Sequence, residues 1–155
     1  MGLKQRIAVG VLSLSAAGLI GIASHEGFSD TAYIPIAGDV PTIGFGSTEG
    51  VQLGNKITVP EALERLHRDV GNAESAIGQC VTVPLSQGEY DAFTSLAFNI
   101  GSSAFCSSTL VRKLNGGDYE GACQEIRKWV YSGGRKIQGL VNRREDEYRM
   151  CMGLK

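Results

Sequence analysis

A short stretch of the chain concentrates side chains that can carry acid–base chemistry. Glu26 follows a long apolar run, and Asp39 and Thr42 come soon after it among glycines and prolines. Two carboxyl groups can share the cleavage of a glycosidic bond. One stays protonated and donates to the leaving oxygen, while the other stays ionised and activates water or stabilises positive charge. These residue types therefore favour hydrolysis of a sugar bond.

A helix and a hairpin must position these three residues. The 18 residues from Ile7 to Ser24 carry no charge and predict a helix that ends at Gly27. The segments 31–36 and 41–46 are short and extended, and each contains a proline that suits an edge strand. Ala-Gly-Asp at 37–39 predicts the turn between them. A third short strand is expected near 56–57.

The rest of the chain reads as helices. Capping boxes at Thr58–Glu61 and Ser86–Glu89 open two of them. The second is the more apolar, and we expect it to form the central core helix, which ends at Gly101. Strands followed by helices indicate an α+β fold. Further helices are predicted at about 108–115, 119–131 and 140–151.

Composition excludes several classes of protein. The chain has 155 residues, 15 Lys and Arg, 16 Asp and Glu, and a net charge of −1. This balance argues against a nucleic-acid binder and against a disordered chain. The charge is uneven, however: residues 127–155 carry a net +5, which leaves −6 for the rest. A basic C-terminal region suits an anionic partner, although solvated helix faces would give the same count.

The four cysteines bear on the compartment. Cys80, Cys106, Cys123 and Cys151 form no CxxC pair and have no histidine at ligand spacing, so no metal site is predicted. Four cysteines allow three pairings, and they are equally compatible with reduced thiols in a core. Disulfides are expected if the chain reaches an oxidising compartment.

The N-terminal run resembles an export signal. Lys4 and Arg6 precede it, and glycines and serines dilute its apolar residues. A cleaved signal peptide is one interpretation, but its end would abut Glu26. A plain buried helix is the second. We favour the third, a weak, uncleaved segment that enters the membrane and later leaves it.

The order of motifs resembles phage-type lysozymes of glycoside hydrolase family 24. The motifs are Glu26-Gly27, Thr42-Ile-Gly-Phe-Gly46, Ala97-Phe-Asn-Ile-Gly101 and 139–145. The resemblance implies a lysozyme-like fold with a small β-hairpin lobe, a larger helical lobe around the core helix, and an active-site cleft between them. It also implies an endolysin that hydrolyses the β-1,4 bond between N-acetylmuramic acid and N-acetylglucosamine in bacterial peptidoglycan, with inversion, for host cell lysis.

The resemblance implies catalytic roles, with one departure. Glu26 is the expected acid, and Asp39 is expected to hold or activate water together with Thr42. Thr42 lies one position later than in the family pattern, and Pro35 stands where the family has its second acid or a cysteine. Asp39 is the nearest substitute, Asp30 is the alternative, and the site also could lack a second carboxylate.

The resemblance further suggests substrate-binding residues and disulfides. Asn99 is expected to bind sugar, with capping of the core helix as the alternative. Arg143 is expected to bind substrate and to pair with Glu26 across the cleft, with a helix-surface arginine as the alternative. The family architecture favours the pairings Cys80–Cys106 and Cys123–Cys151. No cofactor and no metal is expected.

The same resemblance gives the N-terminal run a regulatory meaning. Residues 1–24 look like a signal-arrest-release segment, and 25–155 would form the catalytic domain. The host secretion pathway would export the chain, the inner membrane would hold it transiently through residues 7–24, and a periplasmic monomer would follow. The alternatives are a lytic transglycosylase, which needs only Glu26, and a non-catalytic peptidoglycan-binding protein. Nucleic acid is not an expected partner.

Overall fold

The structure, a computed structural model, describes residues 4–155. These residues form seven α-helices and two pairs of short strands, so the predicted α+β class is confirmed, with helix predominating. A short 3-10 turn at Val9–Val11 precedes the first helix. The elements are α1 (Ala16–Glu26), β1 (Ser29–Tyr33), β2 (Thr42–Gly44), α2 (Val59–Cys80), α3 (Gln87–Ile100), α4 (Ser102–Cys106), α5 (Thr109–Asn115), α6 (Tyr119–Ile126), β3 (Tyr131–Ser132), β4 (Arg135–Lys136) and α7 (Gln138–Met152).

The chain divides into two compact units. The hairpin unit comprises Leu19–Gly71, and the helical unit joins the described residues up to Gly18 with Asn72–Lys155. Each unit has a buried apolar cluster: a small one beneath the hairpin and a large one around α3. The predicted small hairpin lobe and larger helical lobe thus correspond to compact parts of the molecule.

The hairpin unit is built on the predicted antiparallel pair. Tyr33 lies opposite Thr42, and the register becomes irregular towards the pair Ser29–Gly44. The connecting turn closes where the Asp39 N–H donates to the Ile36 carbonyl at 2.9 Å. The expected third strand is reduced to a single bridge between residues 31 and 56, because Thr58 already begins the cap of α2.

The helical unit is organised by α3. Its capping box is complete: Ser86 and Glu89 each accept from the other's backbone N–H. Nine consecutive residues of α3 are buried, including Phe93 and Leu96, and α3 ends at Gly101 as predicted. Two disulfides close this unit, Cys80–Cys106 and Cys123–Cys151, with the pairing that the family resemblance implied.

The N-terminal run departs from the prediction of one continuous helix. Regular helix begins only at Ala16, because Ser15 caps α1 by accepting from the Gly18 N–H at 3.0 Å. Further upstream, Ile7 pairs with Leu85 through two backbone hydrogen bonds of 2.9 Å. Within residues 4–155, none of the helices combines the length and apolar composition that crossing a membrane requires.

A second correction concerns the predicted helix at 119–131. The helix ends at Ile126, and β3 and β4 form a second hairpin whose strands are two residues each. Gly133 and Gly134 both adopt positive φ (55° and 75°), so this pair makes a hairpin turn rather than a simple break between helices.

Candidate functional site

The carboxyl group of Glu26 lies at an open pocket of the hairpin unit. Glu26 is the last residue of α1, and Gly27, with φ +72°, turns the chain into β1. The pocket measures about 320 Å³, and its walls are formed by Glu26, Gly27, Phe28, Ser29, Tyr33 and Gly44. The structure therefore supplies a half-buried acid with space beside it.

The loop after β2 approaches this carboxyl group closely. A Cβ atom added to Gly46 would lie 3.8 Å from Glu26 Oε2, which is ordinary van der Waals contact, and it is the φ of +94° at Gly46 that disfavours a side chain. Gly44 packs closely against α2, because a Cβ atom added to it would lie 2.9 Å from Ala62 Cβ. The two glycines of the Ile-Gly-Phe-Gly motif thus place backbone without side chains at the edge of the site.

The other two predicted catalytic residues do not line this pocket. Thr42 is buried, and its hydroxyl donates to the Val40 carbonyl at 3.2 Å. Asp39 is exposed in the hairpin turn. The alternative acid, Asp30, is also exposed, and its side chain accepts from the Thr31 hydroxyl at 3.0 Å.

The predicted substrate-binding arginine is buried in the helical unit. Arg143 is only 4% exposed, so the alternative of a helix-surface arginine is wrong. Its Nε donates to Glu147 Oε1 at 3.2 Å, and its Nη2 donates to the Ser95 carbonyl at 3.5 Å. These bonds fix the guanidinium between α3 and α7.

Asn99 belongs to the same cluster. Its Oδ1 accepts from Arg144 Nη2 at 2.9 Å, while the residue remains exposed to solvent. The end of α3 is closed instead by the Gly101 N–H, which bonds the Ala97 carbonyl. The alternative of Asn99 as a helix cap therefore does not hold.

Glu147 is the member of this cluster that the sequence interpretation missed. It is 2% exposed, accepts from the Ser95 hydroxyl at 2.6 Å, and lies 2.9 Å from Arg144 Nε. Burial raises the pKa of Glu147, although both arginines and the serine hydroxyl act in the opposite direction. The signal was an acid spaced three and four residues after two arginines, which places all three on one side of a helix.

No metal-binding arrangement accompanies these residues. In the part of the chain that the structure describes, no group of three or more His, Cys, Asp or Glu side chains could hold a metal ion.

Comparison with known proteins gives concordant matches. A family model described as phage lysozyme matches residues 23–147. An endolysin of Acyrthosiphon pisum secondary endosymbiont phage 1 is 39% identical over 140 residues, covering 88% of this chain and 95% of the relative. A SAR-endolysin of Enterobacteria phage P21 is 33% identical over 150 residues, covering 94% and 90%. The crystal structure of a mutant of P22 lysozyme superposes with a TM-score of 0.85 at 36% identity, covering 92% of this chain and 99% of the other.

Proposed function

Because this chain belongs to the phage lysozyme family, we propose that it cleaves the β-1,4 bond between N-acetylmuramic acid and N-acetylglucosamine. Membership makes it a peptidoglycan-hydrolysing enzyme of the lysozyme kind; the bond and the mechanism are our proposal. The observation that carries the proposal is the Glu26 carboxyl group at an open pocket, with Gly46 leaving room beside it. A carboxyl group at such an edge can reach the oxygen of a bound sugar chain.

In this mechanism Glu26 donates a proton to the leaving glycosidic oxygen. Asp39, with Thr42, holds the attacking water on the opposite face of the sugar, and the product has inverted configuration. Inversion needs the two carboxyl groups about 6.5–9.5 Å apart to admit that water. The exposed turn leaves Asp39 accessible to a substrate, and Thr42 is held two residues before Gly44 of the Glu26 pocket.

Asn99 and Arg143 bind the substrate in this proposal. Arg143 is 4% exposed, so it would meet the substrate only through a small edge of its guanidinium. Two acceptors already fix the orientation of that group, so little conformational freedom is lost on binding. Asn99 is exposed and offers an amide to hydroxyl or carbonyl groups of the glycan.

The test is mass spectrometry of purified peptidoglycan after digestion. We expect wild type to release reducing muropeptides and Glu26→Gln to lose at least two orders of magnitude in rate, as general-acid loss typically costs. Glu49→Gln is the matched control, since it removes an exposed carboxyl group of the same unit and should leave the rate unchanged. Full activity of Glu26→Gln would refute the assignment.

A lytic transglycosylase is the second candidate, because neither Asp39 nor Asp30 lines the Glu26 pocket. Such an enzyme needs one acid and leaves an anhydro-sugar end in place of a reducing end. The same digest distinguishes the two, and Asp39→Asn adds a second criterion. Hydrolysis predicts reducing ends and a large loss in Asp39→Asn, whereas transglycosylation predicts anhydro ends and little loss.

The export proposal concerns residues 7–24. A relative named SAR-endolysin, the positive residues before the apolar run, and two disulfides support a chain that is secreted, held in the inner membrane and then released as a periplasmic monomer. Because α1 ends at Glu26, membrane residence of this run would remove the acid from its folded position. Fractionation of expressing cells tests this: exclusively cytosolic protein with reduced cysteines would refute it.

A further inference from the structure

The amide of Asn99 has a fixed direction. A guanidinium carries only donors, so the amide atom that faces Arg144 Nη2 at 2.9 Å must be the oxygen. The amide is planar, and its two N–H donors therefore point away from Arg144. Since Asn99 is exposed, these donors are presented to whatever binds at this end of α3.

The partner that sets this direction is itself held rigidly. Arg144 is 1% exposed and forms an ion pair with Glu147, with 2.9 Å between Nε and Oε2, and its Nη2 donates a hydrogen bond to Glu147 Oε1 at 3.3 Å. Glu147 is fixed in turn by the Ser95 hydroxyl at 2.6 Å. Turning the guanidinium of Arg144 would break several charge-assisted contacts at once, so the network keeps its orientation.

We propose that Asn99 Nδ2 donates a hydrogen bond to the acetamido carbonyl oxygen of a substrate sugar, and that Arg144 and Glu147 are positioning residues for this contact. The inference rests on the proposed function, which supplies a glycan of N-acetylated sugars. Asn99, near the end of α3, thus selects a substrate group that accepts a hydrogen bond.

The chemistry of the glycan singles out the acetamido group. Sugar hydroxyls both donate and accept, so a donor with a fixed direction does not distinguish one from another. A carbonyl oxygen only accepts, and removing the acetyl group replaces it with an ammonium that only donates. A fixed donor therefore separates N-acetylated from de-N-acetylated sugars, because mispaired polar groups are costly where water is excluded.

The experiment compares kcat/KM on native peptidoglycan and on the same material partly de-N-acetylated by an enzyme. Asn99→Asp keeps an oxygen for Arg144 and removes the donor. We expect about a 2- to 10-fold loss on the native wall, the effect of one hydrogen bond. On the treated wall we expect no loss or a gain, because the new carboxylate accepts from the sugar ammonium. Asn142→Asp is the matched control, because it adds the same charge at an exposed position of α7 where the side chain accepts from Gln138.

The outcomes separate the inference from the proposed function. Wild-type protein that cleaves neither wall refutes the proposed function. Wild-type cleavage with an Asn99→Asp loss that is equal on both walls, or absent from both, overturns the acetamido contact and leaves the function standing. A native-to-treated ratio of rates that falls in Asn99→Asp but keeps its wild-type value in Asn142→Asp supports the contact.

The positioning role has its own readout. Arg144→Lys keeps the charge but loses the planar fork, so it should reduce the native-to-treated ratio as Asn99→Asp does, and it should add no further reduction in the double variant. If Arg144→Lys lowers the melting temperature and leaves the ratio at its wild-type value, the residue is merely structural. Should Arg144→Lys fail to fold, the ratio measured for Asn99→Asp still decides the contact itself.

Discussion

The ion pair between Arg6 and Glu89 offers a quantitative test of how the N-terminal run is held. Glu89 lies at the third position of α3 and is 0% exposed. Arg6 donates to it through Nε at 2.9 and 3.2 Å and through Nη2 at 2.7 Å, and its guanidinium also stacks on the Tyr119 ring at 3.6 Å. The contact joins the residues before the apolar run to the start of the core helix.

Glu89→Gln is the informative change. Glutamine keeps the shape and an oxygen for the Ser86 N–H of the capping box, but it removes the charge that Arg6 binds. Charge-assisted hydrogen bonds contribute about 1.5–3 kcal/mol, and the 30% exposure of the Arg6 side chain places this pair at the low end. We expect a loss of about 1–2 kcal/mol in the free energy of unfolding, which is about 2–8 °C in melting temperature for a chain of this size.

The same pair predicts a pH dependence. Burial raises the pKa of Glu89, but the hydrogen bonds from Arg6 and from the Ser86 backbone outweigh it and hold the pKa below its ordinary value. A carboxylate with a lowered pKa in the folded state stabilises the fold above its unfolded pKa of about 4.3, and this stabilisation is lost as the pH falls through the folded pKa. Wild type and Glu89→Gln should therefore differ at pH 7 and converge in acid.

A double-mutant cycle with Arg6→Met isolates the pair, because the lost stacking on Tyr119 cancels between the two arms. Urea unfolding at pH 7 and pH 3 is the assay. We expect a coupling free energy of about 1–2 kcal/mol at neutral pH and a smaller one at pH 3, because protonation of Glu89 removes its charge. A coupling near zero at pH 7, or one that persists unchanged at pH 3, would contradict this account of the contact.

Two further predictions concern stability. Gly18→Ala places a Cβ 2.9 Å from Asp91 Cγ and should cost about 1–3 kcal/mol in thermal unfolding. Gly78→Ala, a helical glycine with nothing within 4 Å of an added Cβ, should instead stabilise by up to about 1 kcal/mol; equal effects would show that crowding at Gly18 is unimportant. Replacing both Cys123 and Cys151 with serine should cost about 2–5 kcal/mol in urea unfolding, and unchanged stability would mean that the disulfide adds nothing.

Local signals in the sequence predicted local structure well. The capping boxes that begin at Thr58 and Ser86 open helices, and Gly101 ends the core helix, because each of these patterns is complete within a few residues. The N-terminal run was less predictable. Its helix begins at Ala16 because Ser15 also bonds Asp91, a partner 76 residues away that no local pattern reveals.

In the candidate site, too, some features follow from local sequence patterns and others depend on tertiary contacts. Glu26 and the glycines of the following motif could be identified because their order along the chain is distinctive. The burial of Arg143 could not, since a charged residue on a helix is ordinarily exposed. It is buried here because Glu147 comes from the same helix and the Ser95 carbonyl comes from α3, and that packing depends on tertiary structure.

The folded structure also shows which basic residues of the C-terminal region are exposed and can attract an anionic cell wall. The excess of basic residues in the C-terminal region predicted a basic face, but Arg143 and Arg144 are buried against Glu147. Glu147 compensates part of the positive charge of these two arginines, and both are at most 4% exposed, which leaves little of either guanidinium for direct contact with the wall. Arg135 and Lys136 are different, because both are exposed on the short strand β4. The second hairpin, which replaces the end of a predicted helix, is therefore one exposed basic site, together with Arg149 and Lys155 near the C-terminus. Added salt should weaken long-range attraction to an anionic glycan before it affects Glu26 chemistry.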